Sequence, residues 1–174
     1  DHPELVRGLI LQSANAHHTG FGPQWKQVME FWSHPNAENE AASMAHLTLE
    51  GVRSTYVRGV PDDIARKISP AVWEEDWRVM SQPGRLAAKR ALVADYGKYV
   101  AKFGEISNYL RTHQPPALMV RGRHDAFFDL AEILSWMEDL PRMEAHILDG
   151  GHFLLETHAA SAGALILDFV ARTS

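Results

Sequence analysis

Pro116-Ala-Leu-Met-Val-Arg-Gly-Arg-His-Asp-Ala-Phe-Phe128 and, after an amphipathic segment, Ala145-His-Ile-Leu-Asp-Gly-Gly-His-Phe-Leu-Leu-Glu156 decide how this chain is read. The apolar run Ala117 to Val120 ends in Gly122 and then Asp125. A second run, Ala145 to Leu148, ends in Gly150-Gly151-His152. Both runs are short and bounded by turn residues, which predicts buried parallel strands. Between them Asp129 is a candidate N-cap with Glu132 three residues on, and Leu130, Ile133, Leu134 and Met137 form one apolar stripe, predicting a helix. The sum is a βαβ unit with a carboxylate just past one strand and a histidine just past the next.

Open α/β sheets place their chemistry outside the carboxyl ends of the strands. A buried Asp there can accept a hydrogen bond from one ring nitrogen of a His. That bond fixes the tautomer and stabilises the imidazolium formed when the other nitrogen takes a proton. Asp125 and His152 are therefore candidates for the acid and base of a nucleophile–His–acid hydrolase. On spacing alone, an Asp after a strand reads equally as a helix cap, and Gly-Gly-His equally as a turn.

The same residues resemble the C-terminal part of an α/β-hydrolase-fold enzyme, in the branch holding haloalkane dehalogenases and epoxide hydrolases. The resemblance rests on Val120-Arg121-Gly122-Arg123-His124-Asp125 and on Gly151-His152-Phe153-Leu154-Leu155-Glu156. It extends through His113-Gln114-Pro115-Pro116, Asp139-Leu140-Pro141, Leu47-Thr48-Leu49-Glu50, Gly59-Val60-Pro61-Asp62 and Asp95-Tyr96-Gly97. It implies that Asp125 is the family's acid and His152 its base. The implied reaction has two steps: a nucleophile forms a covalent ester, then His152 activates water to hydrolyse it. The nucleophile is Asp in the dehalogenase and epoxide hydrolase branch and Ser in esterases of the same fold. A non-catalytic, ligand-binding member of the fold is the alternative.

The resemblance also sets the expected layout, a partial α/β-hydrolase fold of parallel strands with flanking helices and an inserted helical cap. Residues 1–15 hold a core strand, Leu5 to Leu11, after a turn at Asp1-His2-Pro3-Glu4. Residues 16–113 are the helical cap, and 114–174 the C-terminal core carrying acid and histidine. A nucleophile elbow, Gly-x-Ser-x-Gly or its Asp-bearing version, is absent from the sequence, and Ser13 lacks the flanking glycines. The chain is thus expected to begin just after the elbow's helix and to be catalytically incomplete by itself. The strand edge left open invites aggregation or non-native dimers.

Composition narrows the alternatives. The 174 residues are 45% hydrophobic with 9 Pro and 12 Gly, which suits one soluble α/β domain with a sizeable core. A net charge of -5 without a basic run argues against nucleic acid and anionic membrane as partners. With no cysteine, disulfides and thiolate zinc sites are excluded. No apolar stretch reaches membrane-spanning length and no signal peptide is found, so a cytoplasmic location is expected. The partner expected is a small-molecule substrate, with no cofactor, and the oligomeric state stays open.

Residues 16–113 read mostly as helix: Pro23 to Trp32, then a longer one from Asn36 to Arg58 with apolar Ala41, Ala45, Leu49, Val52 and Tyr56. Ser69-Pro70 is a clean helix start, and Trp73, Trp77 and Met80 share a face. Beyond Gln82-Pro83-Gly84 a stripe runs through Leu92, Tyr96, Tyr99, Phe103, Ile106 and Leu110, with a break or kink expected at Gly97 or Gly104. Ala162, Leu165, Ile166 and Phe169 mark a terminal helix over 156–170.

The candidate substrate-binding residues are Tyr96, Trp73, Trp77 and Phe127. Epoxide hydrolases of this fold use cap Tyr hydroxyls to stabilise the oxygen that gains charge, and Tyr96 is the best placed of Tyr56, Tyr96 and Tyr99 for that role. The competing reading has these rings packing on an apolar face with their hydroxyls bonded locally. The Trp pair could line a hydrophobic substrate pocket, though such a pair is more often ordinary packing between cap and core. Asp149 is a rival acid, and the family match favours Asp125. Adjacent His17 and His18 make poor joint ligands, no His-x-x-x-His occurs, and no metal site is expected.

Overall fold

The computed structural model describes residues 2–173. Three parallel strands form one sheet in the order β1-β2-β3: β1 is Leu9–Gln12, β2 Ala117–Gly122 and β3 Glu144–Leu148. β2 is the central strand and every one of its residues is buried. Its side chains alternate between two layers, as the pleat requires. Ala117 and Met119 meet Leu110, Ile133, Trp136 and Leu140 on one face, and Leu118 and Val120 meet Leu154, Ala162 and Phe169 on the other.

Two strand expectations need correction. The first strand starts at Leu9, four residues later than the apolar run suggested. Pro3–Leu5 instead form a 3-10 turn seen from His2 onward, Asp1 lying outside the described residues. Ladder pairing begins where the Leu9 amide donates to Pro116 O at 2.8 Å, and Leu5 is left exposed. β3 is parallel as expected but only partly buried, with Ile147 51% exposed, since among the described residues it pairs with β2 alone.

The crossover helix between the parallel strands β2 and β3 spans Ala131–Asp139. Asp129 Oδ1 does accept from the Ala131 amide at 2.9 Å. Of the predicted apolar stripe only Ile133 is buried: Leu130, Leu134 and Met137 are exposed, and the buried face holds Glu132, Ile133, Trp136 and Asp139. Two carboxylates displace the leucines inward-facing because each has buried hydrogen-bond partners waiting, described below. Glu132 consequently serves no capping box.

Between β1 and β2 the chain is helical, with seven helices: α1 Lys26–Ser33, α2 Ala37–Ser43, α3 Leu49–Val57, α4 Asp62–Ala65, α5 Pro70–Met80, α6 Arg85–Val100 and α7 Phe103–His113. The crossover helix is then α8, and α9 is Leu155–Thr173, kinked at His158. The single helix expected over Asn36 to Arg58 is two. Asn36 caps α2 and Thr48 caps α3, each side-chain oxygen accepting an amide three residues on. The turn between them lays His46 O against Gly51, where a Cβ would collide with it.

Ser69 caps α5 as expected, accepting from the Ala71 amide. The long stripe also divides, at Ala101-Lys102 rather than at Gly97 or Gly104. Tyr96 and Tyr99 on α6 face an aromatic cluster, whereas Ile106, Tyr109 and Leu110 on α7 pack with the sheet core, and Phe103 sits at the bend. No helix among the described residues is long and apolar enough to cross a membrane.

Candidate active site

The turns leaving β2 and β3 are brought together by their glycines. A Cβ on Gly122 would collide with the carbonyl oxygens of Gly150 and Gly151, so only glycine lets the two turns touch. The His124 amide then donates to Gly150 O at 3.0 Å and the Arg123 amide to Leu148 O at 2.9 Å. This contact sets Asp125 against His152.

His152 Nδ1 lies 3.0 Å from Asp125 Oδ2 and 3.1 Å from Oδ1. Asp125 Oδ1 also accepts the amides of Phe127 at 2.9 Å and Phe128 at 3.2 Å. The Asp125 side chain is 1% exposed and that of His152 20%. Burial opposes ionisation of Asp125, but the His152 hydrogen bond and charge and the two amides outweigh it, holding the carboxyl below its ordinary range. The Phe127, Phe128 and Phe153 rings surround the imidazole, with centroids 4.8, 5.7 and 5.1 Å away. The His152 carbonyl is held by Gln12 Nε2 at 2.9 Å and Ser13 Oγ at 3.1 Å. Nε2 has no hydrogen-bond partner among the described residues, and His152 lines a cavity of about 630 Å³.

That cavity has an aromatic wall of Trp25, Trp32, Tyr96, Phe127 and Phe153, and a polar side bearing Asp76, Lys89, Arg58 and His46. Its size is that of a small-molecule site. Trp25 stacks on Tyr96 and on Phe128, at 5.4 and 5.6 Å, and its indole N–H donates to Phe127 O at 2.9 Å. Leu92, placed by the sequence on an apolar helix stripe, is exposed at the cavity's edge. Tyr56 also lines it, donating to Asp76 Oδ2 at 2.6 Å.

The candidate residues thus divide. Asp125, His152, Phe127 and Tyr96 come together. Tyr96 has its hydroxyl bonded locally, to Asn15 Oδ1 at 2.6 Å, and burial, with Tyr99 and Glu132 nearby, pushes its pKa above the ordinary phenol range. Trp73 and Trp77 do not line the cavity. They pack with Val52, Tyr56 and Ile68 beneath its wall, the apolar contact between α3 and α5 claiming both rings. The rival acid Asp149 is turned away, paired with Arg123 at 2.7 Å and His124 at 2.8 Å. Among the described residues no group of three or more His, Cys, Asp or Glu could hold a metal ion.

Sequence reading missed Trp25 and Trp32, although their spacing of seven puts both on one helical face, and Phe21 four residues earlier continues it. It also missed Gln12, Asn15 and the pairing of His17 with the carboxylates of α8, which no local pattern encodes.

Comparison with known proteins identifies the fold. A family model described as alpha/beta hydrolase fold matches residues 1–159. An uncharacterized hydrolase of Saccharomyces cerevisiae is 24% identical over 173 residues, 97% of this chain and 59% of that protein. Cfl2 from Burkholderia cenocepacia superposes with a TM-score of 0.68 at 21% identity, covering 97% of this chain and 58% of the other. The meta-cleavage product hydrolase CumD from Pseudomonas fluorescens gives 0.61 at 14% identity, covering 95% and 56%. A thermophilic esterase from Thermogutta terrifontis gives 0.59 at 16% identity, covering 99% and 58%. At these identities the structural likenesses speak for the fold. The chain spans 59% of the length of the curated relative it matches.

Proposed function

The chain belongs to the alpha/beta hydrolase fold family, and from that membership we propose that it supplies the acid, the base and the substrate cavity of a hydrolase acting on a small, largely apolar organic molecule. One observation carries the reading: the His152 imidazole has Nδ1 on a buried, ionised Asp125 and belongs to the wall of an aromatic cavity. A ring so held can take a proton only at Nε2, which is free.

The nucleophile is contributed from outside residues 1–174 and is proposed to be Asp, as in the dehalogenase and epoxide hydrolase branch. It attacks a substrate carbon and forms a covalent ester. His152 Nε2 then takes a proton from water as the water attacks the ester carbonyl, and Asp125 stabilises the imidazolium. Residues 16–113 act as the cap that roofs the cavity, with Tyr96 and Phe127 among the residues facing substrate. The scheme calls for no cofactor. A Ser nucleophile would use the same pair, His152 then also taking the hydroxyl proton.

The test is His152→Ala in the intact enzyme, assayed on haloalkanes, epoxides and p-nitrophenyl esters. Turnover is expected to fall about 10²–10⁴-fold or more. With an Asp nucleophile the ester accumulates as added mass on the protein; with Ser it does not, because attack itself fails. A fully active variant sinks the assignment, and an intact protein inert on every substrate class favours a non-catalytic, ligand-binding role.

A further inference from the structure

The segment Gln12–Thr19 leaves β1 and turns under the cavity. Ser13 makes the turn with φ 44°, a left-handed conformation that a non-glycine residue adopts only when its surroundings hold it there. What holds this segment is a buried charge cluster. Glu132 Oε1 accepts the amides of Ala16 at 2.6 Å and His17 at 3.2 Å. His17 Nδ1 lies 3.0 Å from the same oxygen, and His17 Nε2 lies 3.0 Å from Asp139 Oδ2. Glu132 and Asp139 side chains are 0% and 1% exposed.

A neutral imidazole has one N–H and one lone pair. Between these two carboxylates the lone pair would face a negative oxygen at hydrogen-bond distance. Only the imidazolium donates both ways. The surrounding charges agree. Arg111 of α7 takes the other Asp139 oxygen at 2.6 Å, leaving the second Asp139 oxygen to His17. Arg121 of β2, fully buried and without a hydrogen-bond partner among the described residues, acts on Glu132, Asp125 and Asp129 through space. Trp136 of α8 meets the His17 ring edge-on at 5.7 Å, and the neighbouring His18 ring faces Phe21 and Phe103. Burial disfavours the charge on His17, but the bonds to Glu132 and Asp139 exceed it, so its pKa lies above the ordinary imidazole value.

The other end of the segment reaches the site. Gln12 and Ser13 hold the His152 carbonyl, Asn15 Oδ1 accepts from Tyr96, and Asn15 O accepts from Tyr99 at 2.8 Å. We infer that His17 is a positioning residue: as an imidazolium clamped between Glu132 and Asp139 it locks residues 12–19 onto α8, and that segment fixes the main chain of His152 and the Tyr96 and Tyr99 hydroxyls of the cavity wall. The positioning of a catalytic His152 rests on the function proposed above; the clamp itself does not. Loss of the proton or of either carboxylate frees the segment, so the set of His152 and of the cavity tyrosines follows the protonation of a residue that touches neither substrate nor the catalytic ring.

Long-range proton–nitrogen correlation spectra of the isotope-labelled protein read both ends at once. At about pH 7, where an ordinary imidazole is mostly neutral, both His17 ring nitrogens are expected to carry protons, and His152 to show a single Nδ1–H tautomer. In His17→Gln the His152 ring signals are expected to shift and broaden and the tyrosine hydroxyls to exchange faster. Glu132→Gln, which keeps an acceptor for the Ala16 amide and removes the charge, is expected to leave His17 singly protonated at that pH; it carries the test if His17→Gln does not fold. A singly protonated His17 in the wild type overturns the clamp. A Glu132→Gln protein with His17 still doubly protonated, or a folded His17→Gln protein with unchanged His152 and tyrosine signals, overturns the proposal as well. A doubly protonated His17 beside a His152 lacking its Nδ1 proton supports the clamp and overturns the acid–base pair instead.

Discussion

Two imidazoles in this molecule sit against buried carboxylates, and they differ in how many ring nitrogens are committed. His152 has Nδ1 on Asp125 and Nε2 unused, in the wall of a cavity. His17 has Nδ1 on Glu132 and Nε2 on Asp139, at 3.0 Å each. The first arrangement leaves a site where a proton can come and go. The second fixes a proton at both positions and leaves nothing for chemistry. The same side chain, given one carboxylate or two, keeps one ring nitrogen free or commits both. Exposure does not separate the two: the His152 and His17 side chains are 20% and 13% exposed, and their carboxylate partners are all closed off from solvent.

The most severe break of this contrast is at the pair with the free nitrogen. Asp125→Asn in the intact enzyme replaces an acceptor of the Nδ1 proton with a group that can donate to it, favouring the wrong tautomer. Turnover is expected to drop about 10²–10⁴-fold with folding stability far less affected; a retained rate would remove Asp125 from the site. His17→Ala breaks the other side of the contrast in the opposite sense. It leaves two buried carboxylates short of a cation and is expected to destabilise the chain by about 3–5 kcal/mol, read by chemical denaturation near neutral pH. A loss under about 1 kcal/mol would mean the cluster is not charged as drawn.

The pH dependence of stability sharpens the comparison further. His17 has a folded pKa raised above its unfolded value, so its contribution is complete below about pH 6.5 and is lost as pH rises through the folded pKa. Asp125 and Asp139 have depressed folded pKa values, so theirs is complete above about pH 4 and is lost as pH falls through them. Denaturation midpoints measured against pH should therefore be highest between about pH 4 and 6.5. His17→Gln should flatten the alkaline fall and leave the acid limb of Asp125 in place. The smallest expected effect is at Leu134→Lys. The residue is 64% exposed on α8, opposite the carboxylate face, and the change should stay within about 0.5 kcal/mol. A large loss there would mean that the leucine face of α8, not the carboxylate face, is the covered one.

Legibility in the sequence followed the range of the forces involved. The two strand-ending turns were readable because glycines and turn residues act within a few positions, and the family resemblance gave Asp125 and His152 their order. The Ser69-Pro70 start was readable because a cap is a local hydrogen bond. The face of α8 was partly misread because periodicity favours burying Leu130, Leu134 and Met137, and nothing near Glu132 or Asp139 shows that their shared partner His17 arrives from more than a hundred residues away. The helix over Asn36 to Arg58 was read as continuous, and the break in the Leu92 to Leu110 stripe was placed at Gly97 or Gly104 instead of Ala101-Lys102, because each break falls where one part of a stripe faces one layer and the next part faces another. Trp73 and Trp77 share a face as expected, but which surface that face meets is set by α3.

The sequence by itself determined the parallel βαβ unit, the aspartate and histidine in the turns after its strands, and the helical character of the segment between β1 and β2, since each follows from contacts between near neighbours or from motifs of a few residues. Only the tertiary structure decided which carboxylates are buried, which aromatic rings wall the cavity, and which histidine keeps a free nitrogen. Burying a charge is unfavourable until a partner meets it, and here the partners lie far off in the chain, so those outcomes exist only once the fold has brought them together.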